Sequence, residues 1–342
     1  MPDTMRAVVV SRYGGSLEAM ARPVPRAAAG EVLVRVRASG LCSTDLHLTS
    51  GRQPLGKLPR IVGHELAGDV VEVGDGVGDW RQGDRVTAAI DVTCGRCRDC
   101  LSGQTQRCRA MKRIGFERDG GHAEYVAVPA ANLVALHAEI SYEAAAILPD
   151  AVACMYHSLI HQGGVGIGQR VLILGVGGLG IHGVQIARSA GAEVFATSRQ
   201  PQRVALAEQH GAVGIDTSCE SFEVAVGKLT GGDGVDVVVD NIGTRDSVRR
   251  GLAVLRPGGK FLVVAYLDES FEVASIPLFK TEQQIIGCRG STRQDLIDVV
   301  RLVRAGQVTP VLGASYPLDE IGKAIARLDS GDLVGRIWLS RA

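Results

Sequence analysis

The sequence predicts an α/β protein with two domains, one β-rich and one built on a doubly wound parallel sheet. Three observations predict it. The chain has 342 residues, about twice a typical domain of about 150. Its first third carries short β-branched runs separated by Gly, Asp or Pro, the texture of a barrel or sandwich-like domain. Further along, short apolar runs alternate with helical patterns, as strands buried on both faces do in βαβ units.

Residues 5–11, 31–39, 66–73, 85–89 and 125–129 read as strands of the β-rich part. Residues 31–37 alternate apolar and polar side chains for several positions, as a half-buried strand does. Residues 171–174 form a continuous apolar run that ends at glycine, and a helical pattern covers 179–190. Strand 193–196, helix 201–210, strand 235–239, helix 245–255 and strands 260–264 and 284–288 follow. The tail holds helices 296–304 and 318–328 and a closing strand, 336–339. No internal repeat or low-complexity segment is present.

Thirty-seven basic residues balance 37 acidic ones. A zero net charge argues against a nucleic-acid binder, which needs a basic surplus to replace counterions. It offers no attraction to an anionic membrane surface either. The 46% apolar and 22% charged fractions exclude disorder. The apolar run 8–10 is too short for a signal-peptide core. The uncharged stretches 151–169 and 171–187 carry histidine, glutamine and several glycines, so neither reads as a membrane span. A cytoplasmic protein is expected. Glycine is in excess, at 44 residues against a usual share of about 7%, and the absence of a Gly-X-Y period leaves tight turns as its use.

Cys94, Cys97, Cys100 and Cys108 bring four thiols onto one polar loop. In a reducing compartment such a cluster binds metal rather than forming disulfides. Four thiolates match tetrahedral zinc and leave no open position, which makes the site structural. A second set is dispersed: Cys42, His64 with Glu65, and Asp150. Three mixed ligands with room for a fourth describe a catalytic zinc. Each also has a plain structural reading: a small buried hydrophobe, a hydrogen-bonded core histidine, and a helix N-cap.

Gly175-Val-Gly177-Gly178-Leu179-Gly180 follows an apolar strand and opens a helix. The first glycine permits the tight turn, the second lets backbone approach a pyrophosphate, and the third allows close helix–strand packing. The next strand ends in Thr197, Ser198 and Arg199, where NAD-binding chains place an acid on the ribose. A hydroxyl from Ser198 and guanidinium groups from Arg199 and Arg203 suit a 2′-phosphate. NADP is therefore expected in preference to NAD.

Taken in order, these residues resemble the zinc-dependent medium-chain alcohol dehydrogenases. The resemblance rests on Gly40-x-Cys42-x-Thr44-Asp45-x-His47, Gly63-His64-Glu65, the four-cysteine lobe, Gly83-Asp84-Arg85-Val86 and the glycine fingerprint. It spans essentially the whole chain. It implies a Rossmann domain, residues 152–293, inserted into a GroES-like catalytic domain formed by 1–151 and 294–342. It implies two zinc ions per chain, with Cys42, His64 and Asp150 on the catalytic one. Cys154, one helical turn on, is a rival for the third place. By the same resemblance Glu65 is a near-zinc glutamate, Asp45 a supporting carboxylate, and Thr44 and His47 a proton relay. Arg336 resembles an arginine on the cofactor phosphates. A homotetramer or homodimer is implied.

Two departures stand out. Ser43 replaces a basic residue that many members place on the pyrophosphate. Residues 48–54 lack the bulky aromatics of a narrow ethanol pocket. The expected reaction is hydride transfer between a small-molecule alcohol, or its aldehyde or ketone, and a nicotinamide cofactor. Zinc would supply the acidity an alcohol lacks at neutral pH. A polyol or amino-alcohol dehydrogenase of the same family is the alternative. A zinc-free quinone or enone reductase and a non-enzymatic zinc module fit the cysteines and His64 less well.

Overall fold

A computed structural model describes residues 1–265, 267 and 269–341. The chain divides into two units: Met1–Ala153 with Ser291–Ala305 and Pro310–Ala342, and Cys154–Gly290 with Gly306–Thr309.

In the first unit the long strand Glu31–Leu41 is the organising element. It pairs antiparallel with Ala67–Val73, Tyr125–Pro129 and the closing strand Arg336–Ser340. The alternation seen in the sequence is real: Val34 and Val36 are buried while Arg35 and Arg37 face solvent. Val32, Val34 and Val36 pack with Leu66, Val70 and Leu133 in one core cluster. Fully burying such side chains stabilises the fold by roughly 1.5–3 kcal/mol each. A smaller antiparallel sheet joins Thr4–Val10 to Glu18–Pro23 and Arg60–Ile61. The register Ile337↔Leu41 sets Arg336 beside the end of Glu31–Leu41. Leu312–Pro317, which the sequence reading left out, adds a parallel strand against Arg336–Ser340. The helix Arg293–Arg304 starts where Thr292 and Asp295 cap each other reciprocally, one turn earlier than its apolar pattern suggests.

The second unit holds a six-stranded parallel sheet. Its order is Val213–Asp216, Glu193–Ser198, Arg170–Leu174, Val235–Asp240, Leu255–Val263, Gln284–Gly287. Chain order reverses between Arg170–Leu174 and Val235–Asp240, and ligands of doubly wound sheets bind at the carboxyl ends beside that point. Val213–Asp216 and the helix Phe222–Thr230 were absent from the sequence reading. Gly306–Thr309 returns to this unit because Gln185 Nε2 donates to the Thr309 carbonyl (2.9 Å) and Thr309 N donates to Gln185 Oε1 (2.7 Å). Among the described residues no helix is long and apolar enough to cross a membrane.

Candidate metal centre and cofactor loop

Three separate elements bring Cys42, His64 and Asp150 together. Cys42 ends the strand Glu31–Leu41 and precedes the helix Ser43–Ser50. His64 follows the short strand Arg60–Ile61. Asp150 lies in a widened helical turn, Leu148–Val152, rather than capping a helix with its side chain; such turns are frequent at functional sites. The ligand atoms of the three lie within 4.8 Å of one another. Cys42 Sγ is 3.2 Å and His64 Nε2 3.7 Å from Asp150 Oδ2. Ligands of tetrahedral zinc stand about 3.3–3.8 Å apart, so this donor set fits the ion. Cys154 is not one of the converging donors.

The charges around the set also suit a cation. Burial opposes charge on His64, but Asp150, Cys42 and Asp45 outweigh it and raise its pKa well above normal. Burial likewise opposes charge on Asp150, yet His64 and Arg336 hold its carboxyl far below the usual range. A thiol and a carboxylate that together demand a proton on their neighbour form a site for a positive ion. Glu65 is fully buried, and burial pushes it up to about 7 against the pull of Arg336. Its side chain lies where a Cβ on Gly40 would overlap it, so a larger residue at 40 would have to displace the glutamate.

Arg336 is 5% exposed. Its Nη2 donates to Asp150 Oδ2 at 2.6 Å and to Glu65 Oε1, and its Nε donates to Glu65 Oε2 at 3.2 Å. The resemblance implies a place for this residue on the cofactor phosphates; its Nη2 and Nε face the carboxylates of the metal centre. Asp45 Oδ2 accepts from the Cys42 amide at 2.8 Å, so the carboxylate braces the turn that presents the thiol. Thr44 Oγ1 lies 3.5 Å from Cys42 Sγ. His47 is one turn along the same helix and half-buried, and burial together with Arg52 lowers its pKa. Ser43 is exposed.

Cys94, Cys97, Cys100 and Cys108 form a second converging group. Cys94 and Cys100 sulfurs are 4.0 Å apart, near the ~3.8 Å of two thiolates on one zinc. The backbone N–H groups of Arg96 and Cys97 pull Cys94 down to about 6.

In the second unit, residues 175–180 join Arg170–Leu174 to the helix Gly180–Ser189. Gly175 has φ 87°, and a Cβ on Gly180 would overlap the Gly175 carbonyl. Nothing lies within 4 Å of a Cβ placed on Gly177, so fold packing leaves that face open for a close-approaching group. Gly178 O is 2.8 Å from His182 Nδ1, and Leu179 O accepts from His182 N at 3.0 Å. Gly175 N donates to Thr197 Oγ1 (3.3 Å), tying the loop to the neighbouring strand. Asn241, next to the switch point, has both side-chain polar atoms buried without a partner among the described residues. An open backbone face, a helix start and an orphaned amide fit a dinucleotide. Ser198 is buried and its Oγ accepts from Gln200 N at 3.1 Å; Arg199 is exposed and Arg203 half-buried. Asn241 and His122, a buried neighbour of Asp45, escaped the sequence reading because no motif spacing marks either.

A family model described as "Alcohol dehydrogenase GroES-like domain" matches residues 28–138, and one described as "Zinc-binding dehydrogenase" matches residues 178–305. An alcohol dehydrogenase of Geobacillus stearothermophilus is 33% identical over 98% of this chain and 99% of its own. A D-arabitol-phosphate dehydrogenase of Enterococcus avium is 31% identical over 97% of this chain and 96% of its own. A zinc-binding dehydrogenase from Sinorhizobium meliloti 1021, solved bound to NADP, superposes with a TM-score of 0.92 at 30% identity, covering 99% of this chain and 100% of that one. With its two cysteine-bearing donor groups and its glycine loop in that order, the chain belongs to the zinc-dependent medium-chain alcohol dehydrogenase family.

Proposed function

We propose that this oxidoreductase transfers a hydride between NADP and an alcohol or polyol, or the corresponding aldehyde or ketone. The carrying observation is the convergence of Cys42, His64 and Asp150 within 4.8 Å. Zinc bound there supplies the Lewis acidity that an alcohol or carbonyl oxygen needs at neutral pH. Cys42, His64 and Asp150 are its ligands in this reading, and Arg336 balances Glu65 and Asp150. Thr44 Oγ1 takes the substrate hydroxyl proton and hands it towards His47, on the same helix face. A lowered His47 pKa keeps that imidazole neutral at pH 7 and able to accept. His47→Gln should therefore slow alcohol oxidation most on the acid side of the pH–rate profile. An unchanged profile would remove His47 from the relay.

NADP preference rests on Ser198, Arg199 and Arg203, with no acid where NAD chains carry one. The NADP-bound S. meliloti relative supports it. A polyol or polyol phosphate is a substrate class to include, given the D-arabitol-phosphate relative and the absence of bulky aromatics from residues 48–54. The cytoplasmic location and a homodimer or homotetramer remain part of this reading. The deciding experiment is a nicotinamide-absorbance assay of the zinc-loaded chain. It sets NADP against NAD across primary, secondary and polyhydric alcohols and their carbonyls. Faster turnover with NAD would overturn the reading of Ser198 and Arg199.

A further inference from the structure

One carboxylate oxygen in the first unit faces two imidazoles. Asp45 is completely buried, and its Oδ2 is engaged by the Cys42 amide. Among the described residues its Oδ1 has no hydrogen bond; it lies 3.9 Å from His64 Nδ1 and 3.6 Å from His122 Nε2. Those two ring nitrogens are buried and unpartnered as well. Two buried ring nitrogens converging on one buried carboxylate oxygen form a built cluster, since buried polar groups are ordinarily satisfied.

The two sides of His122 together set which nitrogen carries the proton. His122 Nδ1 is 2.9 Å from Ser39 Oγ. The same Oγ accepts from Arg341 Nη2 at 3.0 Å. A guanidinium only donates, which leaves the serine proton available to His122 Nδ1, and the Asp45 carboxylate facing Nε2 favours the tautomer in which it is given there. The imidazole proton then sits on Nε2 and faces Asp45. Burial lowers the His122 pKa, in keeping with a neutral ring.

The ring is also mounted on the segment that carries His64. His122 N donates to the Val62 carbonyl at 2.9 Å, and Gly121 N donates to the Gly63 carbonyl. Gly63 has φ 99°, and a Cβ there would overlap the His122 ring. The glycine before the ligand is thus the seat of this imidazole.

We infer that His122 is a positioning residue for the catalytic zinc: its Nε2–H holds Asp45 in place, and Asp45 in turn holds the His64 ring with Nε2 free to bind metal. The inference rests on the metal-centre reading above. Outer partners of metal-bound histidines fix tautomer and ring orientation, and losing one costs roughly 10–100-fold in metal affinity. His122 stands one partner further out, so about tenfold is expected.

The test uses the full zinc-loaded chain and three variants. Zinc content and chelator competition report affinity, and cobalt substitution reports the ligand field at the catalytic centre. The wild type should hold two zincs. His122→Phe should release one of them about tenfold more readily, shift the cobalt bands and leave the lobe zinc unchanged. His122→Gln, whose amide N–H reaches towards Asp45, should recover most of the affinity. His122→Asn keeps a polar group near Ser39 but falls short of Asp45, and should behave like Phe. If the Phe variant does not fold, the Gln and Asn pair decides, and equal affinities there overturn the inference. A folded Phe variant with wild-type affinity and spectrum overturns it too. A wild type that holds one zinc overturns the metal reading itself, and the inference with it.

Discussion

Cys94, Cys97, Cys100 and Cys108 meet within residues 94–108, whereas Cys42, His64 and Asp150 are drawn from three elements up to 108 positions apart. The lobe is held by little else. Its helix, Arg98–Leu101, has four residues and buries none of them, and Leu101 is 75% exposed. A helix that short is not stable alone. The dispersed set has the opposite support. Leu41 and Leu48 on either side of Cys42 are fully buried, and the flanking strand is paired on both edges. In the lobe the metal would hold the shape; at the dispersed centre the fold already holds the ligands. The two sites should therefore fail in different ways.

Cys42→Ala is the largest expected effect. Removing one catalytic ligand should lower kcat/KM by at least about a thousandfold, roughly 4 kcal/mol of barrier. Zinc content should fall from two to one. The melting temperature should move little, because the buried Leu41 and Leu48 and the paired strand position Cys42 more than its few sulfur contacts do. Steady-state kinetics, metal analysis and calorimetry on one sample check all three. Retained activity would break the contrast at its catalytic end.

Cys97→Ser should reverse the pattern. The lobe metal is lost, and with it the constraint on residues 94–108. A cost of a few kcal/mol lowers the melting temperature by roughly 3–6 °C in a protein of this size. Activity at low temperature should stay within a few-fold of wild type. An unchanged melting temperature with one zinc lost would show that the lobe is held by contacts other than the metal.

The lobe and the glycine loop were legible because their meaning lies in local spacing. Pro201 at the start of Pro201–Gln209 marked its helix in the same way. Leu312–Pro317 was not legible: its Leu-Gly-Ala-Ser-Tyr-Pro carries no β-branched residue, and only pairing with Arg336–Ser340 makes it a strand. Val213–Asp216 is four residues long and begins on the exposed Val213, too little for a periodic signal. The dispersed ligands were named by resemblance, but their surroundings were not. Arg336 on Asp150 spans 186 positions, and His122 on Ser39 spans 83. Such contacts exist only once the sheet register is set, and motif spacing carries no trace of them.

The smallest expected effect sharpens the contrast in the metal-stripped chain. The thiolate is the reactive form of cysteine. Cys94, held down to about 6 by the Arg96 and Cys97 backbone N–H groups, is mostly thiolate at pH 7. An ordinary thiol near 8.5 is only a few per cent ionised there. Lower intrinsic nucleophilicity offsets most of that gain, so a net advantage of about two- to threefold remains, and exposure adds to it. Cys42 is 5% exposed and shielded from the reagent. Iodoacetamide should thus label Cys94 well before Cys42. Because protonation removes the reactive form, the Cys94 rate should fall as pH drops through about 6. Peptide mapping after timed labelling from pH 5 to pH 8 measures it. A midpoint near 8.5, or first labelling at Cys42, would mean that the stripped lobe does not keep the backbone turn that aims those N–H groups at sulfur.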